Sequence, residues 1–177
     1  MEIKKIVTGA LEENCYVLSS NNTCLIVDPG SDSKKIKEVV GSDKIIGILV
    51  THAHFDHIGA LRDFLALNRR LKIFKKSNLT DMKEVEIGDF SFIPIFTPGH
   101  SSDSVTFYFA KEKLMFVGDF VFKDTVGRCD LPTGDSNEMD LSIAKIKKYD
   151  DDIMLYSGHG LDTTLGREKE YNLYFNR

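Results

Sequence analysis

The order of strand-like and helix-like segments predicts an α/β fold, a four-layer αββα sandwich of two mixed sheets face to face with helices on both outer faces. Two runs of strands, each punctuated by helices, read β-β-β-α-β-α and then β-β-β-β-α-β-α. Lys44 to Val50 is nearly all apolar, as a strand covered on both sides requires. Further on, Phe90 with Phe92 and Phe107 with Phe109 put aromatic rings at period two, so each pair shares one strand face.

Ile3, Ile6 and Val7 open the chain as a first strand. Asn14–Leu18 and Thr23–Val27 follow as two β-rich runs separated by the turn chemistry of Asn21-Asn22. Asp28-Pro29-Gly30 ends the second run, because proline and glycine do not continue a strand comfortably. Ser31 to Val40 reads as a helix, with Ile36, Val39 and Val40 at helical spacing, and Gly41 stops it. After the Lys44–Val50 strand, Asp56 to Asn68 reads as a helix on Ile58, Leu61, Phe64, Leu65 and Leu67. Strands are expected at Leu71–Phe74, Phe90–Phe96, Ser104–Phe109, Leu114–Val117 and Ile153–Tyr156. Helices are expected at Ser136–Tyr149, on Leu141, Ile143, Ile146 and Tyr149, and at Thr164–Phe175. No repeat, low-complexity segment or linker interrupts residues 1–177, which read as a single domain.

Composition narrows the function classes. Apolar residues at 42% and charged residues at 28% are ordinary for a globular protein. A net charge of −4 with scattered Lys and Arg carries no nucleic-acid footprint. The strand aromatics could stack bases, but no basic residues flank them, and a core role is expected. Cys15, Cys24 and Cys129 have no CxxC spacing and read as reduced thiols of a cytoplasmic protein. The N-terminal stretch has lysines but no apolar run before a small-residue cleavage site, so no signal peptide is expected. No apolar run reaches the ~18 residues needed to span a bilayer, so no membrane partner is expected. Oligomeric state is not legible.

The chemistry concentrates in Thr51-His52-Ala53-His54-Phe55-Asp56-His57-Ile58-Gly59, which follows an apolar strand. His52 and His54 are two apart in extended chain, so both rings can meet one ion. Asp56 and His57 project differently, where the chain turns into a helix whose N-terminus favours the carboxylate. His100 in Thr97-Pro98-Gly99-His100 and His159 in Ser157-Gly158-His159-Gly160 complete the five histidines, and each follows a β-like run. Asp119 lies at the end of Leu114–Gly118. Singly, each would be read as a surface histidine or a turn. Together seven candidates exceed the four ligands of one tetrahedral site, which argues for two ions. Imidazole and carboxylate suit zinc first, and iron or manganese as well.

These motifs resemble the metallo-β-lactamase superfamily, specifically its glyoxalase II-like, hydroxyacylglutathione hydrolase-like short microbial branch. THAHFDHIG, TPGH, FVGD, GRCDLPTGD and SGHG stand in that family's order over nearly the whole chain. HxHxDH is highly specific; the other motifs gain weight from their order. The resemblance implies the metallo-β-lactamase fold, one metal held by His52, His54 and His100, and a second held by Asp56, His57 and His159. Asp119 would bridge them together with a water or hydroxide, and Asp56 would orient that group and take its proton. Asp28 corresponds to a family aspartate that orients a histidine from behind. The implied reaction is metal-dependent hydrolysis of a small thioester by the bridging hydroxide. Three departures stand out. The chain ends before the C-terminal helical domain of larger glyoxalase II enzymes. Asp103, a residue type that tolerates left-handed backbone, stands where the family often has glycine. Leu161 stands where it often has proline.

Arg128, in Gly127-Arg128-Cys129-Asp130, is the candidate substrate contact, because a guanidinium grips a carboxylate in a fork. The alternative is an ion pair with Asp130 in its own loop. Cys129 has no histidine to spare for activating it and is not read as a nucleophile. A persulfide dioxygenase, which resembles the same branch, would hold a single iron through His52, His100 and Asp119. A non-catalytic metal-binding module, a nuclease and a β-lactamase complete the alternatives.

Overall fold

In the computed structural model, which describes residues 1–176, one sheet has five strands. Their order is β1 (Glu2–Thr8), β2 (Glu13–Ser20), β3 (Thr23–Val27), β4 (Lys44–Leu49) and β5 (Lys72–Phe74). β1, β2 and β3 pair antiparallel, while β3, β4 and β5 pair parallel. The other sheet has the order β13 (Thr163–Thr164), β12 (Met154–Ser157), β9 (Leu114–Gly118), β8 (Val105–Phe109), β7 (Phe90–Phe96) and β6 (Val85–Ile87). It is antiparallel except between β9 and β12. A hairpin of β10 (Val121–Phe122) and β11 (Thr125–Val126) follows β9.

Alternation along the strands divides the core into three slabs. Tyr16, Leu18, Leu25, Val27 and Leu49 face Phe92, Phe107, Phe109 and Phe116 between the sheets. The alternate residues Val17, Cys24, Ile26, Ile48 and Val50 face α1 (Ser33–Val40), α2 (Phe55–Ile58) and α3 (Leu61–Leu67) through Ile36, Val40 and Phe64. Ile95, Met115, Val117 and Leu155 face α4 (Ser136–Ile146) and α5 (Leu165–Tyr171). The result is the expected four layers. The strand aromatics pack edge to face, with Phe92–Phe107 centroids 5.5 Å apart and Phe109–Phe116 5.7 Å apart. Such pairs are worth ~0.5–1.5 kcal/mol beyond area burial, and rings this enclosed cannot stack bases.

The 56–68 helix divides at Gly59–Ala60 into α2 and α3. Ala60 N donates to Gly30 O (2.8 Å) and Pro29 O (3.0 Å). A Cβ on Gly59 would stand 2.2 Å from Gly30 O. The Asp28-Pro29-Gly30 turn therefore presses into the helix and takes over its hydrogen bond. α4 starts at Ser136, with Asp135 accepting from the N–H groups of Asn137 and Glu138, and ends at Ile146. Its buried stripe is Met139, Ile143 and Ile146, while Leu141 points to solvent. The tail helix stops at Tyr171, because Asn172 leaves the helix and donates to Thr125 O (3.0 Å) and Glu168 Oε2 (2.8 Å). β6, β10, β11 and β13, of two or three residues each, have no counterpart in the strand pattern; runs so short carry no alternation to read.

The loops after β3, β4, β7, β9 and β12 emerge together at one edge of the two sheets. Parallel pairing continues past the strand ends: Asp28 N donates to Leu49 O (2.9 Å) and Gly158 N to Gly118 O (2.9 Å). Val105 N donates to Thr51 O (2.8 Å), tying one sheet to the other beside the histidines.

Candidate metal centre

At that edge the structure brings together all seven side chains singled out by spacing. His52 Nε2 lies 3.0 Å from His54 Nδ1, which lies 2.9 Å from His100 Nε2. A second group forms from Asp56, His57 and His159: Asp56 Oδ2 is 3.2 Å from His159 Nε2 and 3.6 Å from His57 Nε2. Asp119 stands between the groups. Its Oδ1 is 3.2 Å from His57 Nε2, and its Oδ2 is 3.5 Å from His100 Nε2 and 3.7 Å from His159 Nε2.

The outer partners decide the tautomers. His100 Nδ1 meets Arg128 O at 2.8 Å and His159 Nδ1 meets Leu11 O at 3.0 Å. A carbonyl only accepts, so both rings carry hydrogen on Nδ1 and turn Nε2 inward. His57 Nδ1 donates to Asp28 Oδ2 (2.9 Å) by the same logic. Thr51 Oγ1 donates to Asp28 Oδ2 (2.6 Å), which leaves it to accept from His52 Nδ1 (3.1 Å). Four imidazoles thus turn Nε2 toward one another and toward carboxylates. Such a donor set fits cations, and it has the partners behind each ring that metal-binding histidines require. Two of the buried side-chain atoms without a hydrogen-bond partner among the described residues are His57 Nε2 and Asp119 Oδ1. Each costs about 1–3 kcal/mol left unpaired.

Asp28 also accepts from Thr51 N (2.7 Å) and sits at φ 49°. Asp28, His52 and His57 form a third close group, but the hydrogen bonds of Asp28 to Thr51 and His57 account for it. Glycines make room at the centre. A Cβ on Gly158 would fall 2.3 Å from Asp119 Oδ1 and 2.6 Å from His57 Cε1. Gly118, at φ +53°, would drive a Cβ into Thr51 Oγ1 at 2.3 Å.

Electrostatics disfavour a proton on His52 and His54 and favour positive charge between His57 and Asp119. Burial, reinforced by His57, pushes His52 down to about 2 and keeps it neutral. Burial, then His100, also lowers His54. Burial works against protonated His57, but contact with Asp119 and Asp28 outweighs it and holds the ring well above the imidazole range. Burial likewise opposes the Asp119 carboxylate, and contact with His57 outweighs it, holding Asp119 well below the carboxylate range. The pair draws a positive charge into the gap, as a proton or as a metal ion.

Several supporting residues carried no signal in the local pattern. Asn14 Nδ2 donates to Ser157 O (3.0 Å) and Gly160 O (3.1 Å), and Tyr16 Oη donates to Ser157 O (2.7 Å), which holds the His159 turn. Glu13 is buried beside them. Its Oε2 accepts from Thr8 Oγ1 (2.8 Å), and its Oε1 is 3.9 Å from His57 Nδ1. Burial, then the charge of Asp28, pushes its carboxyl up to about 9. Polar Glu13-Asn14 at the head of an apolar strand was the one available hint.

Arg128 forms the alternative ion pair with Asp130. Its guanidinium forks onto Asp130 at 2.6 and 2.7 Å and is exposed. The part of Arg128 that reaches the site is its backbone carbonyl, on His100. Asp103 does not have a positive φ, so left-handed backbone does not account for the aspartate there. A hollow of about 520 Å³ opens beside His54, lined by Ala53, Ser102, Asp103, Pro132 and Thr133.

Fold and clustered ligands together define a metal-dependent hydrolase. Residues 8–69 and 72–159 match the Metallo-beta-lactamase superfamily, and the chain belongs to that family. A probable metallo-hydrolase, YqgX, of Bacillus subtilis is 31% identical over 99% of this chain and 98% of its own. The hydroxyacylglutathione hydrolase GloC of Haemophilus influenzae is 28% identical, covering 99% of each chain. The crystal structure of the B3 metallo-beta-lactamase BLEG-1 superposes with a TM-score of 0.93 at 30% identity, covering 99% of this chain and 100% of that one. Among the described residues, no helix is long and apolar enough to cross a membrane.

Proposed function

We propose that the protein is a dinuclear metallohydrolase acting on a small thioester of the hydroxyacylglutathione type. One observation carries the dinuclear reading: two three-residue ligand groups face a single carboxylate, Asp119, that reaches both. His52, His54 and His100 would hold one ion and Asp56, His57 and His159 the other. Zinc is proposed first on the ligand chemistry, with iron and manganese as the other metals that suit it. Bound divalent ions would supply a water ionised near neutral pH and Lewis-acid polarisation of the substrate carbonyl.

The chain's own residues do the rest. Asp56, with Oδ2 turned to the histidines, orients the attacking water and receives its proton at Oδ1. Asp119 fixes the separation of the two groups. Asp28, through Thr51 and His57, keeps one imidazole of each group in its ligating tautomer. The hollow beside His54 receives the substrate. The thioester class rests on the resemblance of the motifs and on the name of the GloC relative. A mono-iron dioxygenase would use His52, His100 and Asp119, and would leave Asp56, His57 and His159 without a task.

Elemental analysis of purified protein, with a panel of thioesters, a β-lactam and a persulfide oxygen-uptake assay, tests the reading. Two metal equivalents with thioester hydrolysis are expected. One iron per chain with oxygen consumption would overturn it, as would turnover of the β-lactam alone.

A further inference from the structure

His52 and His54 come from the loop after β4, and His100 comes from the loop after β7 in the opposite sheet. The three nitrogens can meet one ion only if these loops hold a fixed separation. Val105 N to Thr51 O (2.8 Å) sets it on one side of His52. Ala53, on the other side, is exposed and outside any strand ladder.

The Asp103 carboxylate bridges that gap. Oδ2 accepts from Ala53 N (3.1 Å), between the two histidines, and Oδ1 accepts from Ser101 Oγ (2.8 Å), beside His100. Ser101 is in turn held by Ser104 Oγ at 2.7 Å, and both serines are buried. One side chain therefore clips the outer arms of both ligand loops together. A glycine at this position, which the resembled family often has, could not do so.

We infer that Asp103 is a positioning residue for the His52, His54 and His100 group, setting the place of His54 relative to His100 and so the affinity of that group for its metal. The inference rests on the metal-binding reading above. It assigns Asp103 no contact with the metal. Asparagine can preserve the clip: its Oδ1 accepts from Ala53 N while Nδ2 donates to Ser101 Oγ, whose own hydrogen turns to Ser104. Alanine removes both bonds and meets no backbone strain, because Asp103 does not have a positive φ.

The test titrates cobalt(II) into chelator-stripped full-length protein, following its absorption spectrum in competition with a chromophoric chelator. Wild type, Asp103→Ala, Asp103→Asn and His54→Ala are compared. Asp103→Ala is expected to weaken one metal equivalent, the one His54→Ala removes, by about 10–100-fold. The second equivalent and the unfolding temperature of the metal-free protein should stay unchanged, and Asp103→Asn should restore wild-type affinity. Wild-type affinity for both equivalents in Asp103→Ala would overturn the inference while leaving the metal-binding reading intact. Failure of Asp103→Asn alongside Asp103→Ala, or equal weakening of both equivalents, would also overturn it. Wild-type protein that takes up no cobalt would instead remove the metal-binding reading itself, and the inference with it.

Discussion

His57 Nε2 and Asp119 Oδ1 face each other at 3.2 Å, both buried and without a hydrogen-bond partner among the described residues. With the His57 hydrogen committed to Asp28, two acceptors oppose each other unless a positive charge enters the gap. A metal ion there would do so while also engaging Asp56 and His159, which would couple fold stability to metal content.

Removing metal should therefore lower the unfolding temperature. A metal at about 100 times its dissociation constant contributes about 2.7 kcal/mol per site. At about 2–4 °C per kcal/mol for a domain of this size, the shift is ~5–11 °C per site. Calorimetry with a strong chelator, then with added zinc, measures it. An unchanged transition would remove the coupling.

Asp56→Asn keeps the shape of the side chain but loses its basicity. Thioester hydrolysis should fall by ~10²–10⁴, the range of a lost general base, with an unaltered circular dichroism spectrum. Near-normal turnover would count against Asp56 as the proton acceptor.

Gly158→Ala places a methyl 2.3 Å from Asp119 Oδ1 and 2.6 Å from His57 Cε1. It should strip one metal equivalent in elemental analysis without abolishing folding. Full retention of both metals would mean that Asp119 and His57 have room to move.

Glu13 provides a pH test in metal-free protein. Its ordinary value is 4.5 and its folded value about 9, raised first by burial. Below 4.5 the carboxyl is neutral folded or unfolded, and its contribution to stability is fully present. Between 4.5 and about 9 the unfolded chain ionises first, so stability is lost as pH rises and levels off above 9. Glu13→Gln, which cannot ionise, should therefore gain on wild type in unfolding midpoint across that window. Parallel curves for the two proteins would refute the burial argument.

The seven side chains were legible because each stands at a strand end or in a local spacing. His52 and His54 share a direction, and His100, Asp119 and His159 each terminate an apolar run. The three-slab core was legible for a similar reason, since period-two and helical patterns report local geometry. The divided helix at Gly59–Ala60 was not, because its cause is Gly30, about thirty residues away. Nor was the contact of the Arg128 carbonyl with His100, although the ion pair of its side chain with Asp130 was one of the two readings the local sequence left open.

By itself, then, the sequence determined which groups are available for coordination and which layers they hang from, because side-chain identity and short-range periodicity are written residue by residue. Only the tertiary structure decided the tautomers, the supports and the separation of the two ligand groups. Leu11 with His159, Asn14 with Ser157, and Asp103 with Ala53 meet across fifty to nearly one hundred and fifty residues of chain. Contacts of that range arise when the sheets pack, and no local pattern encodes them.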